Sequence, residues 1–312
     1  MNGVLYCILL ATLSVEFLMG TLGNAFTVLV NIMYWVKRRR VSFIDQILTT
    51  LAVSRIAFLF SLTVHSFVYK WYPGIIITRR IVRQTCIFFT VTNHFSIWLA
   101  TCLSIFYFLK IASFSNSIFF HLKWRVKKMV SGTLLASLLL LFLNVLVIDT
   151  QIDVIIYRTE SNIFFRAISS NYSQVAMFVL FTNTMFTLIP FIVTLMVFLL
   201  LIFSLWGHLK NMQYNAQGSR DVSTAAHIKA LQMVVTFLLL YSTFFLSLLL
   251  QFCDIKYKQK TSVSPLFWVI GVAFPSVHSC VLILGNTKLR QAFISMVWWL
   301  RCRLSDVQPS VS

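Results

Sequence analysis

Acidic residues are scarce in this chain. Asp and Glu number 8 in 312 residues, against 26 Lys and Arg, and charged residues of all kinds reach only 11%. Ordinary soluble domains carry roughly a quarter. A water-soluble globule could not cover the 59% of residues that are apolar with so few charges. Motifs of enzymes are missing too. There is no GxxxxGK[ST], HExxH or GxSxG, which excludes the usual phosphate-binding, zinc-hydrolase and serine-hydrolase signatures. The six His are dispersed, and Cys7, Cys86, Cys102, Cys253, Cys280 and Cys302 are scattered, so no metal or cofactor is expected. No linker, low-complexity tract or internal repeat divides the chain.

What is present is apolar and long. Segments 17–36, 84–109, 129–148, 175–205, 230–253 and 261–287 contain no Asp, Glu, Lys or Arg. A seventh apolar stretch, 44–68, is broken only by Arg55. About 20 helical residues cross a hydrocarbon core of roughly 30 Å. The pattern predicts an all-α integral membrane protein, a single seven-helix bundle. Its spans are approximately 7–34, 44–68, 85–109, 129–148, 175–205, 230–252 and 265–285, with 286–312 as a short cytoplasmic tail. The runs are too continuous for an outer-membrane barrel. The first span has no preceding basic residue and outlasts a signal-peptide core.

The basic residues orient the bundle. With the N-terminus outside, segments 37–40, 110–128, 210–229 and 288–303 are inner and hold sixteen Lys and Arg. The outer segments 70–83, 158–166 and 256–260 hold nine. That excess places the N-terminus outside and the C-terminus in the cytoplasm. Most of the formal net charge of +18 is therefore a topology signal facing inner-leaflet lipid rather than a nucleic-acid signature. The only N-x-S/T sequon, at Asn171, falls on the outer side, where it would be glycosylated. Cys302, just past the last span, is open to palmitoylation or to remaining a free thiol.

Polar residues within the spans stand out. Arg55 should face the bundle and find a partner, with Asn24 at similar depth as the expected acceptor. Its role is either structural glue or a polar switch. Asn93 lies about 13 Å into span three, with Phe89 one turn above it. It suits an interhelical hydrogen bond and a ligand contact equally. Span six carries Tyr241, Phe244 and Phe245, and span seven carries Trp268. Among 30 Phe, composition alone does not select them. Pro190 and Pro275 interrupt spans five and seven. One intramembrane acid, Glu16, is fewer than a proton or cation transporter would need.

Ordered fragments resemble one family, the type 2, or bitter, taste receptors. Span two reads Leu51-Ala52-Val53-Ser54-Arg55, similar to LAxSR. Span three ends Leu103-Ser104-Ile105-Phe106-Tyr107-Phe108-Leu109-Lys110-Ile111-Ala112, similar to LSxFYxLKIA. His278-Ser279 is followed by Gly285-Asn286-Thr287-Lys288-Leu289-Arg290-Gln291. Two positions depart: many members have Pro where Ser279 stands, and some have Glu where Trp268 stands. The segment after span four has no Cys, so the disulfide from that loop to span three, common in rhodopsin-like receptors, cannot form.

The resemblance implies a plasma-membrane G-protein-coupled receptor for bitter small molecules. By position, Phe89, Asn93, Tyr241, Phe244, Phe245 and Trp268 would contact agonists. Arg55, Tyr107, Lys110, His208, His227 and His278 would serve activation or contact with a gustducin-like heterotrimeric G protein. A homo- or hetero-oligomer is left open. A vomeronasal-type receptor is the alternative from the same broad class. A channel or transporter would show inverted repeats and paired broken helices, and neither is present.

Overall fold

The computed structural model describes residues 3–39, 42–71, 79–112, 117–160, 166–214, 222–256 and 264–306. They form nine helices: α1 (Gly3–Arg38), α2 (Phe43–Trp71), α3 (Arg79–Ile111), α4 (Ser117–Trp124), α5 (Val126–Glu160), α6 (Arg166–Tyr214), α7 (Val222–Lys256), α8 (Ser264–Gly285) and α9 (Thr287–Asp306). No strand occurs among the described residues. In lipid every backbone N–H and C=O must be satisfied internally, and a helix does this within one segment.

Six helices (α1, α2, α3, α5, α6 and α7) are individually long and apolar enough to cross a membrane. The seventh crossing is α8, whose 22 residues span about 33 Å. Helix α9 then turns through 94°. The turn has a local cause. Asn286 follows the last residue of α8, and its Oδ1 accepts from the backbone N–H of Lys288 at 3.0 Å and of Leu289 at 3.2 Å. An Asn at this position satisfies the free donors of a new helix and starts it in a new direction. Helix α9 anchors Leu289 against Val30 and Ile283 and exposes Ile294, Val297 and Trp298. Such an apolar face suits the membrane interface.

Helix α3 is the axle of the bundle. Two-thirds of its apolar span is buried (67%), against 17–39% for the other five. It packs on α2, α5, α6 and α7, while α1 packs on α2 and α8. The rest of the apolar surface faces outward, as a lipid-facing protein requires. Leu139 on α5 and Leu239 on α7 are each more than 60% exposed. Close approach of α1, α2 and α8 depends on Gly20, where an added Cβ would collide with Ser276 and Leu59.

The helices outrun the apolar spans. Helix α5 continues from the span at 129–148 to Glu160, and α3 begins six residues before 85. Charged residues that flank a span end its burial in lipid but do not break a helix. Arg83, counted in sequence within the outer segment 70–83, is therefore helical, as are Asp149 and Asp153. The tail at 286–312 contains α9.

Candidate functional site

At the end of the bundle where α3 and α8 begin, the helices part around a cavity of about 140 Å³. Phe58 and Leu62 of α2, Thr85, Cys86 and Phe89 of α3, and Val175, Ala176, Val179 and Leu180 of α6 form one side. Phe244, Leu248, Gln251 and Asp254 of α7 and Phe267, Gly271 and Val272 of α8 form the other. An apolar protein cavity of about 150 Å³ holds a benzene ring, so this one takes about one ring without displacement. Few polar groups interrupt the lining. Gln251 is turned partly away from it, donating from Nε2 to the Phe267 carbonyl at 3.2 Å.

The residues expected from sequence are spread over several places. Phe89 and Phe244 line the cavity, and Phe89 lies 5.7 Å from Phe58 between ring centroids. Tyr241 is fully buried behind it and donates from its hydroxyl to the Thr187 carbonyl at 2.8 Å. Phe245 stacks on Phe191 at 5.5 Å, between α6 and α7. Asn93 lines a second, smaller and more polar pocket with His94, Asn144 and Asn183, between α3, α5 and α6. Asn144 Nδ2 donates to Asn183 Oδ1 at 3.2 Å, and Asn183 Nδ2 donates to Thr90 Oγ1 at 3.1 Å. Asn93 Oδ1 is buried without a partner among the described residues. The side chains of Trp268, His208, His227 and Asn171 lie outside the described residues.

A polar centre lies below the cavity. Arg55 is fully buried. Its Nη1 donates to Ser279 Oγ at 3.3 Å, and its Nη2 meets His278 Nδ1. Ser279 Oγ in turn lies 2.9 Å from Asn24 Oδ1 and 2.6 Å from the Pro275 carbonyl. Asn24 thus belongs to the Arg55 network through Ser279, not by the direct bond expected from sequence. The serine at the departing position supplies that bridge. A buried guanidinium needs such partners, because an unpaired charge in a low-dielectric interior is very costly.

An aromatic stack joins cavity and centre. Phe244 stacks on Phe274 at 5.1 Å, the Arg55 guanidinium lies 5.7 Å from the Phe274 ring, and Phe237 stacks on His278 at 4.8 Å. At the α9 end, Tyr107 is half-buried and Lys110 is exposed, with its Nζ 6.0 Å from the Phe106 ring centroid. Sequence reasoning missed Lys288. It pairs with Asp45 at 3.0 Å, donates to Asn31 Oδ1 at 2.8 Å and lies 4.6 Å from the Tyr34 ring, fastening α9 to α1 and α2. Among the described residues no group of three His, Cys, Asp or Glu side chains is placed to hold a metal ion.

A cavity thus opens between membrane helices above a buried cation. Comparison with known proteins identifies the family. The family model for taste receptor protein (TAS2R) matches residues 1–301. The chain belongs to this taste receptor family. It is 58% identical over 304 residues to taste receptor type 2 member 140 of Rattus norvegicus, covering 97% of each chain. It is 51% identical over 307 residues to member 103 of Mus musculus, covering 98% of this chain and 97% of the relative. It is 48% identical over 310 residues to member 14 of Macaca mulatta, covering 99% and 97%. Like other taste receptors it is a multi-pass membrane receptor and not an enzyme, and the family implies ligand binding and G-protein coupling.

Proposed function

We propose that this taste receptor binds bitter, mainly apolar small molecules in the cavity between α2, α3, α6, α7 and α8. On agonist binding it activates a gustducin-like G protein at the α9 end. The observation that carries the reading is the cavity itself: aromatic and aliphatic walls, few polar groups, and room for one ring. Such a site binds permissively, because most of the binding free energy comes from non-directional burial of apolar surface.

Phe89 and Phe244 form the proposed contact wall, joined by Trp268 on α8 and backed by Tyr241 and Phe245. Asn93 supplies a polar contact deeper on α3, where its unpartnered Oδ1 suits a donor on the agonist. Activation is a population shift, so an agonist acts only as far as it prefers the active state. The stack from Phe244 through Phe274 to Arg55 and His278 gives that preference a packed route. Tyr107, Lys110, His208 and His227 are the proposed G-protein contacts. This orientation puts the N-terminus outside, the α9 end at the cytoplasmic face of the plasma membrane, Asn171 in position for glycosylation and Cys302 in position for palmitoylation.

A calcium-flux screen of a bitter-compound panel, in cells expressing the chain with a promiscuous G protein, tests the reading. Concentration-dependent responses to apolar ring compounds are expected, and Asn93→Ala should raise the EC50 of donor-bearing agonists at unchanged surface abundance. Silence across the panel by a surface-expressed receptor would contradict it.

A further inference from the structure

We infer that Arg83, Asp149 and Asp153 form an ionic clamp that positions one wall of the agonist cavity. It does the work that a disulfide to the start of span three does in many other seven-helix receptors. Cys86 and Cys102, the two cysteines of α3, are free thiols. What ties the start of α3 to its neighbour is charge. Arg83 Nε lies 2.9 Å from Asp149 Oδ1, and Arg83 Nη2 donates to Asp153 Oδ1. The two carboxylates are four residues apart on α5 and so share a face, where like charges repel. One guanidinium between them removes that repulsion and joins two helices, and its planar fork allows it to reach both. The two arms differ. The Nε contact is off the hydrogen-bond axis, whereas the Nη2 contact to Asp153 is a hydrogen bond.

The clamp sits directly on the cavity wall. Beside it Val82, Ile148, Ile152, Val175 and Val179 form a buried cluster of α3, α5 and α6, with Cys86 packed against it. Cys86, Val175 and Val179 also line the cavity. The register of α3 against α5 therefore sets where Cys86 stands, and Val175 and Val179 of α6 pack against the same α3–α5 seam. The clamp side chains are 33–42% exposed. Salt screens such charges, and a network is worth more than an isolated pair. The clamp acts through the wall, so its three members are positioning residues. Their part in agonist binding rests on the cavity reading above.

Cys86 and Cys102 allow a test without any agonist. Both are on α3. Cys86 lines the cavity one turn from Arg83, and Cys102 is fully buried deeper in the helix. Purified full-length receptor is treated with N-ethylmaleimide, and modification of each cysteine is followed by peptide mass spectrometry. Arg83→Ala should speed modification of Cys86 about fivefold and leave Cys102 unchanged. Asp153→Asn should exceed Asp149→Asn. Raising NaCl from 50 to 500 mM should speed Cys86 modification in the wild type and not in Arg83→Ala. The pair Arg83→Asp with Asp153→Arg should recover more protection than its single members combined predict.

An unchanged Cys86 rate in Arg83→Ala, or strictly additive swap effects, would overturn the clamp. A joint rise at Cys86 and Cys102 would signal global loosening. Arg83→Lys and Asp153→Asn then decide, and the same joint rise in these milder variants overturns the positional claim. With agonists from the panel, the clamp variants should raise EC50 about fivefold at constant maximal response per surface receptor. If they do not while Gly271→Leu does, the clamp's role in agonist binding fails. If Gly271→Leu is also without effect, the cavity reading fails.

Discussion

The two ends of the bundle treat polar groups in opposite ways. Around the cavity, charges stand at the rim: Arg83, Asp149 and Asp153 are partly exposed, and the lining is mostly bare of hydrogen-bonding groups. Toward the α9 end, charges lie inside and are held by several contacts each, Arg55 by His278, Ser279 and the Phe274 face, and Lys288 by Asp45, Asn31 and Tyr34. On the proposed function, the end that admits ligands is left underfilled and undemanding. An end that must report a state is built from groups whose partners cannot be lost cheaply.

The contrast breaks most sharply at Arg55. Arg55→Ala should abolish the response to every agonist and lower surface abundance, because it takes from His278 Nδ1 its partner and unlinks Ser279 and Asn24 from α2 in a dry centre. Each buried polar group left unsatisfied costs about 1–3 kcal/mol, and the emptied side-chain volume adds a cavity cost. Cell-surface immunostaining beside calcium flux checks this, and normal signalling would sink the buried-network account. Lys288→Ala should cost less, about 1–2 kcal/mol in thermal unfolding of the purified receptor, since Lys288 and Asp45 retain about a fifth of their exposure. Asp45→Asn should match it, and the double variant should add little if the pair acts as one unit. Smallest of all, Asn171→Gln should lose only the N-glycan, so that the variant runs where glycosidase-treated wild type runs. If the wild-type mobility ignores the enzyme, the sequon is unused.

Much of the fold was legible from where charges are absent. The charge-free runs gave six of the seven spans, and Arg55 was recognised as a buried cation needing partners because nothing else explains its place in span two. Its actual partners were not legible. Arg55 and Ser279 are 224 residues apart, Lys288 and Asn31 are 257 apart, and Arg83 and Asp153 are 70 apart. Helix packing alone brings them together. Opposite charges flanking spans three and four were the available signal for the clamp, but counting them as loop residues hid it. The cavity was half visible. Phe89 and Phe244 were named through the family resemblance, whereas Val175, Val179 and Val272 carry no mark that distinguishes lining from lipid-facing surface. Gly271 carries none either, although it too lines the cavity.

Gly271 offers the most direct test of the account, that agonists occupy this cavity. An added Cβ there would lie 3.4 Å from Ser247 Oγ and 3.6 Å from Gln251 Nε2, ordinary contact distances, so an alanine methyl can be introduced without displacing α7. The measurement is the concentration–response of Gly271→Ala and Gly271→Leu, normalised to surface receptor, across panel agonists of graded size. The account predicts EC50 rising from Ala to Leu, by about tenfold or more for agonists larger than one ring and less for slender ones. Unchanged EC50 for agonists of every size would contradict it.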